Sequence, residues 1–273
     1  MTTATVPATA EGSPALAGPV RPSPLPVFRH LFTAYVRTWR GSVFSSFVLP
    51  VMFLVGMGLS VGSYVDKAGS LGYPYLDYIA PGLLASTVFQ VAFNESTYPV
   101  AAGFLWLRTF HAMRASPLRP ADILGGEILY IWLRAGASGA GFLVVMTLFG
   151  TVHSPMALAT IPVSLLLAVA SATPVLAYSA TIKHDAMFAI LFRFLVIPAT
   201  LFAAVFFPVE QLPAAARWLA YLSPLWHGVE LTRAATLGTP TALGWMWHVV
   251  FLAAWAVVGS LIARRQFNRR LTD

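Results

Sequence analysis

Long apolar runs separated by short polar stretches set the pattern of this chain. Six runs, at about 43–62, 78–99, 128–149, 157–180, 187–207 and 245–263, each approach the roughly 20 residues that a helix needs to cross about 30 Å of hydrocarbon. They predict an all-α membrane protein with six transmembrane helices. Pro50, Pro174 and Pro198 fall inside runs, which a helix bundle tolerates where neighbours satisfy the freed carbonyls. Gly58 and Gly62 form a GxxxG pair that permits close helix packing. Ahead of the first run, Phe28, Leu31, Phe32, Tyr35, Val36 and Trp39 recur at helical spacing with Arg29, Arg37 and Arg40 between them. That is the pattern of an amphipathic helix lying in the membrane interface, or of a wet extension of the first span. Between the last two runs, Pro208, Pro213 and Pro224 divide the segment into AAARWLAYLS and LWHGVELTRAATLG. A Pro-divided apolar segment rich in Trp and Tyr predicts a re-entrant helical pair.

Composition narrows the class. The 273 residues are 58% apolar and 10% charged, with a mean hydropathy of +0.73, against roughly 25% charged residues in an average soluble domain. Little length remains for a soluble catalytic domain. Residues 1–25 are rich in Pro, Ala, Thr and Ser and predict a disordered cytoplasmic tail, with neither the basic start nor the apolar core of a secretory signal. Residues 26–273 then form one transmembrane domain. Of the 17 Lys and Arg, Arg21, Arg29, Arg37, Arg40, Arg108, Arg114, Arg119, Lys183, Arg264, Arg265, Arg269 and Arg270 lie on one side of the predicted membrane. Only Lys67, Arg217 and Arg233 lie on the other. The positive-inside rule therefore places both termini in the cytoplasm, in a plasma (inner) membrane, and the net charge of +7 suits anionic lipid. The absence of cysteine excludes disulfides and thiolate catalysis.

One interior stretch, Arg108 to Glu127, reads RTFHAMRASPLRPADILGGE and is basic and punctuated by proline between two apolar runs. It predicts a cytoplasmic loop with a short amphipathic helix. Within the spans, Glu95, Arg134 and Arg193 are costly if they face lipid, and predict either a polar path with a gating role or a structural pair of Glu95 with Arg134 or Arg193. Both arginines lie near span ends and have the length to snorkel. Lys183, His184 and Asp185 read as a solvated turn.

The basic loop RTFHAMRASPLRPADILGGEILY, the segment FFPVEQLPAAARWLAYLSPLWHGVELTRAATLG before the last run, and the amphipathic N-terminal helix together resemble the ABC exporter permeases of type 2. The branch they resemble most exports nodulation factors and lipooligosaccharides. The resemblance spans about residues 26 to 268. It implies a half-transporter in which two permease chains pair, identical or not, each docked to a separate cytoplasmic ATP-binding subunit that uses ATP and Mg. The implied cargo is amphipathic, a lipid-linked saccharide or a drug or antibiotic. By the same resemblance, the helix around Leu105 to Ala115, with Arg108, Phe110, His111 and Arg114, is the coupling helix that meets the ATPase, the N-terminal helix makes a second contact, and the pair before the last span caps the outer exit. This chain has no GxxxxGK[ST] phosphate loop, so it hydrolyses no ATP by that route and is expected to bind no cofactor or metal. Membrane lipids are expected partners and nucleic acid is not.

Two other classes fit parts of the pattern. An intramembrane serine protease of the rhomboid kind would use Ser138 in Gly136-Ala137-Ser138-Gly139 with His248. Their depths differ by roughly 12 Å at 1.5 Å per residue, which favours a small-residue packing face instead. An ion-gradient transporter calls for several buried acids or an inverted repeat, and only Glu95 qualifies.

Overall fold

A computed structural model describes residues 23–68 and 72–272, so most of the predicted tail lies outside the described residues. The described residues form helices without strands. Among the described residues, four helical stretches are long and apolar enough to cross a membrane: Tyr75–Leu105, Pro120–Leu148, Pro155–Ser179 and Trp245–Thr272.

Helix α1, Leu25–Ala68, is a single helix of 44 residues that joins the predicted interface helix to the first apolar run. No proline or cap separates the two parts. Gly41 alone, costing about 1 kcal/mol in a helix interior, does not end it. At 1.5 Å per residue α1 is about 66 Å long, twice the thickness of a hydrocarbon layer.

Helix α2, Tyr75–Ser96, is central, and nearly every residue in it is buried. It packs on α1, on α5 (Pro120–Leu148), on α6 (Thr160–Ser179) and on α10 (Pro224–Leu237). The chain breaks at Thr97, just before Pro99, and resumes as α3, Tyr98–Leu105. The short α4, Thr109–Arg114, follows. Helix α5 begins with Pro120, and the Arg119 backbone N–H donates to Asp122 Oδ2 at 2.9 Å. Pro at the first position and an acid in the first turn both favour a helix start. Gly136 and Gly139 of α5 meet Leu165 and Ser164 of α6, where an added Cβ would come within 2.4 Å and 2.6 Å of those side chains. This is the small-residue face that the sequence suggests.

The fifth apolar run departs from a uniform span. It forms α7, Ala186–Leu191, a π-helical turn over Phe192–Val196, and α8, Ile197–Phe202. Residues 203–207 are bends, and Ala204 has φ +57. Pro198 has no N–H to give the preceding turn, and the π-turn absorbs that gap. The unwound carbonyls find donors instead: Tyr78 Oη donates to Ala204 O at 3.1 Å, Arg233 Nη2 to the same oxygen at 2.7 Å, and Tyr75 Oη to Phe206 O at 3.0 Å. Irregular backbone in an apolar setting persists because buried side chains satisfy it.

Two short helices, α9 (Ala214–Leu222) and α10, meet at Ser223, whose Oγ accepts from the Leu225 N–H. Trp218, Leu219 and Leu222 of α9 are exposed, whereas Leu225, Trp226 and Val229 of α10 are fully buried against α2, α6 and α11 (Trp245–Thr272). The segment is thus two short helices divided at Ser223.

Candidate functional site

The loop after α3 turns sharply. The Leu107 N–H donates back to Ala102 O at 2.9 Å, and Arg108 takes a left-handed backbone with φ 50, rare for a residue with a Cβ. That reversal turns the chain from α3 into α4, which packs back on it. Phe110 points inward, 2% exposed, with its ring 4.8 Å from Phe104 and 6.0 Å from Phe267. Gly103 gives it room, since a Cβ there would lie 2.5 Å from the Phe110 ring. Outward stand Trp106, 55% exposed, and Leu107, 71% exposed, beside the exposed Arg108 and His111. Arg114 is half-buried and spends one N–H on its own loop, donating from Nη1 to Leu118 O at 3.0 Å. Of the four residues expected to meet a partner, Arg108 and His111 therefore share an exposed facet with two apolar neighbours. Arg114 shapes the loop and Phe110 anchors it.

The polar residues within the spans separate into two places. Arg134 Nη2 lies 3.1 Å from Glu95 Oε1, with its guanidinium over the Tyr35 ring at 4.4 Å, so α1, α2 and α5 meet at one buried ion pair. Tyr130 stands against Tyr35, ring centroids 6.3 Å apart, and Glu127 is buried on the same helix face one turn earlier. Arg193 takes no part in this cluster. It sits on the π-turn, exposed, with no carboxylate partner among the described residues. Beyond it, Val196, Ile197 and Thr200 line a groove of about 540 Å³ between α2 and α8, and Arg193 is not among its lining residues. Across that groove α2 presents Ser86, Thr87, Gln90 and Asn94, while Phe53 and Phe192 add aromatic walls. The groove is thus polar along one side and apolar along the other, and Ser86 Oγ is buried there without a hydrogen-bond partner.

The opposite end of the bundle carries features that sequence reasoning missed. Arg233 is buried under Tyr78, 3.9 Å from its ring, and bonds Glu230 and the unwound segment. The i,i+3 spacing of Glu230 and Arg233 is the one signal of this in the sequence. His227 and His248, both buried, share a 2.9 Å contact between their Nδ1 atoms. His227 Nε2 lies 3.0 Å from Tyr221 O, and because a carbonyl only accepts, that nitrogen carries the proton. His248 Nδ1–H then donates to His227 Nδ1. His248 is committed to α10, and no hydrogen bond joins it to Ser138 among the described residues.

What this arrangement defines is a helical protein with four stretches apolar enough to cross a membrane among the described residues, a buried ion pair within the bundle and an exposed loop at its Arg-rich end. A model of the family described as ABC-2 type transporter matches residues 27–237, and the chain belongs to that family of membrane transport subunits, which work with an ABC ATP-binding subunit. Among curated proteins it is similar to Nodulation protein J of Rhizobium leguminosarum bv. viciae, 29% identical over 248 residues, which is 90% of this chain and 94% of that one. Nodulation protein J of Rhizobium meliloti (strain 1021) is 27% identical over 246 residues, 90% of this chain and 92% of that one. The protein of the same name from Bradyrhizobium diazoefficiens is 25% identical over 249 residues, again 90% and 92%.

Proposed function

We propose that this chain is the permease half of an ATP-driven exporter in the inner (plasma) membrane, with both termini in the cytoplasm. It pairs with a second permease chain and moves an amphipathic cargo, a lipid-linked saccharide or a drug-like amphiphile, out of the cytoplasm or the inner leaflet. ATP and Mg are used by the separate ATP-binding subunit. The observation that carries this reading is the facet of Trp106, Leu107, Arg108 and His111, which stands clear of the bundle at its Arg-rich end. Apolar anchors beside the Arg108 cation suit an acidic-rimmed groove on a partner. Work at the ATPase then acts here by differential preference: the nucleotide-bound partner favours one arrangement of the paired permeases over the other.

The groove between α2 and α8 suits the cargo path. Its polar ladder accommodates a hydrophilic head and its aromatic wall an apolar tail. Glu95 and Arg134 stabilise the junction that flanks it, and the α9–α10 pair closes its outer end against membrane lipids.

The deciding experiment is a mild-detergent pull-down of the tagged chain with an ATPase assay. A nucleotide-binding subunit recovered in near-equal amount supports the reading. Combining Arg108→Glu with His111→Glu is expected to reduce its recovery at least tenfold while the permease stays folded in the membrane. A chain that purifies alone, without nucleotide-dependent activity, overturns the reading.

A further inference from the structure

At the Arg-rich end, four helix termini are tied together beneath α4. Phe267, near the end of α11 and fully buried, stacks edge-on against Phe104 of α3 at 5.0 Å and tilts against Phe110 of α4 at 6.0 Å. One helical turn later, the Arg270 guanidinium lies 4.6 Å from the Phe104 ring on its other contact. The same guanidinium donates from Nη1 to Ala180 O at 2.8 Å and to Ser179 O at 3.3 Å. Those are unpaired carbonyls at the C-terminus of α6, where a cation is favoured by both hydrogen bonding and the helix dipole. Ser179 in turn donates its hydroxyl to Ser96 O, at the end of α2, at 2.6 Å.

This arrangement has a mechanical meaning. A helix of six residues cannot hold its own direction, because its few internal hydrogen bonds do not offset the cost of ordering it. Its orientation is set by what Phe110 rests on. Phe110 rests on Phe104 and Phe267, and the Arg270 guanidinium lies over the Phe104 ring. The rings of Phe104, Phe110 and Phe267 form one aromatic seat, and Arg270 ties that seat to α6. α4 packs on α11 as well as on α3 and α5.

We propose that Phe267 and Arg270 are positioning residues that seat the coupling helix on the C-terminal end of α11, so that displacement of α4 by the ATPase passes into α11 and α6. The transmission part rests on the functional reading above, while the seating stands on this geometry alone. α11 then runs without a break to His248, which bonds His227 of the α9–α10 pair. A push at α4 and the movement of that pair are two ends of one rod.

The chain has no cysteine, so a single thiol reports unambiguously. A spin label at His111→Cys on the full chain in nanodiscs reads the seat directly. In Phe267→Ala and Arg270→Ala backgrounds its spectrum is expected to narrow to that of a mobile loop, while a label at Phe149→Cys, far from the seat, stays unchanged. Phe267→Leu and Arg270→Lys, which keep bulk or charge, are expected to recover at least half of the immobilisation. In the complex with its ATP-binding subunit, Phe267→Ala is expected to lower permease-dependent ATP hydrolysis at least fivefold at saturating subunit, with Phe267→Leu recovering it. An unchanged His111 label in Phe267→Ala overturns the seat. A freed label with wild-type hydrolysis overturns the transmission. Loss of the Phe149 signal together with that of His111 shows a general role in folding and also overturns the proposal. If the unmodified chain recruits no ATP-binding subunit, the functional reading fails while the label still decides the seat.

Discussion

Arg108 and Arg134 show how differently two arginines of one chain are used. Arg134 is 10% exposed and paired with Glu95 at 17%, so its removal leaves a buried carboxylate without its counter-charge. Arg134→Ala is expected to lower stability by about 3 kcal/mol, and Glu95→Gln with Arg134→Met to restore most of it, as read by thermal unfolding in detergent. Arg108 is exposed and holds a left-handed backbone, which costs a residue with a Cβ about 1–2 kcal/mol. Arg108→Gly therefore relieves the strain and removes the charge together: the loop is expected to become slightly more stable while retention of the ATP-binding subunit falls. His227 gives a pH dependence. Burial pushes its pKa down to about 4, and no carboxylate or guanidinium from the elements around it lies against its ring among the described residues. The folded chain thus keeps it neutral while the unfolded chain binds a proton below about 6.5. The share of stability that this one proton governs is full above about pH 6.5 and is expected to fall between there and about pH 4, by at most about 1.4 kcal/mol per unit, and His227→Gln removes that share.

At the level of elements, the apolar runs were legible because hydrocarbon-length patterning is a strong signal, and the α9–α10 division was legible because Pro213 and Pro224 mark both helix starts. The interrupted fifth run was not, since Phe206, Phe207 and their neighbours are as apolar as a span. What unwinds them is a set of donors, Tyr75, Tyr78 and Arg233, brought from more than 25 residues away in sequence. The same holds for the candidate site. The loop's charges announced an exposed segment, but the inward turn of Phe110 depends on Phe267, more than 150 residues later, and no local pattern reports it. The small-residue face of α5 is a sharper case of legibility. Gly139→Val is expected to push α5 from α6 and cost about 1–3 kcal/mol, whereas Ser138→Ala is expected to leave transport unchanged.

For the whole molecule, orientation is the most exposed expectation. With a single thiol introduced, Lys67→Cys is expected to react with an impermeant reagent in intact cells and Arg119→Cys only after the membrane is opened. The opposite labelling would place both termini outside the cell. The broken fifth run has a consequence for the surrounding lipid. Its helical part, Ala186–Phe202, has 17 residues and reaches about 25 Å, short of the roughly 30 Å of a typical hydrocarbon layer. A bilayer meets a short helix by thinning beside it. Such a dent shortens the distance over which a polar head group must cross oil, and it lies next to the groove that holds Gln90 and Asn94. Export from vesicles of short-chain lipid should accordingly outpace export from long-chain ones, because the thicker sheet must be pinched further before each passage.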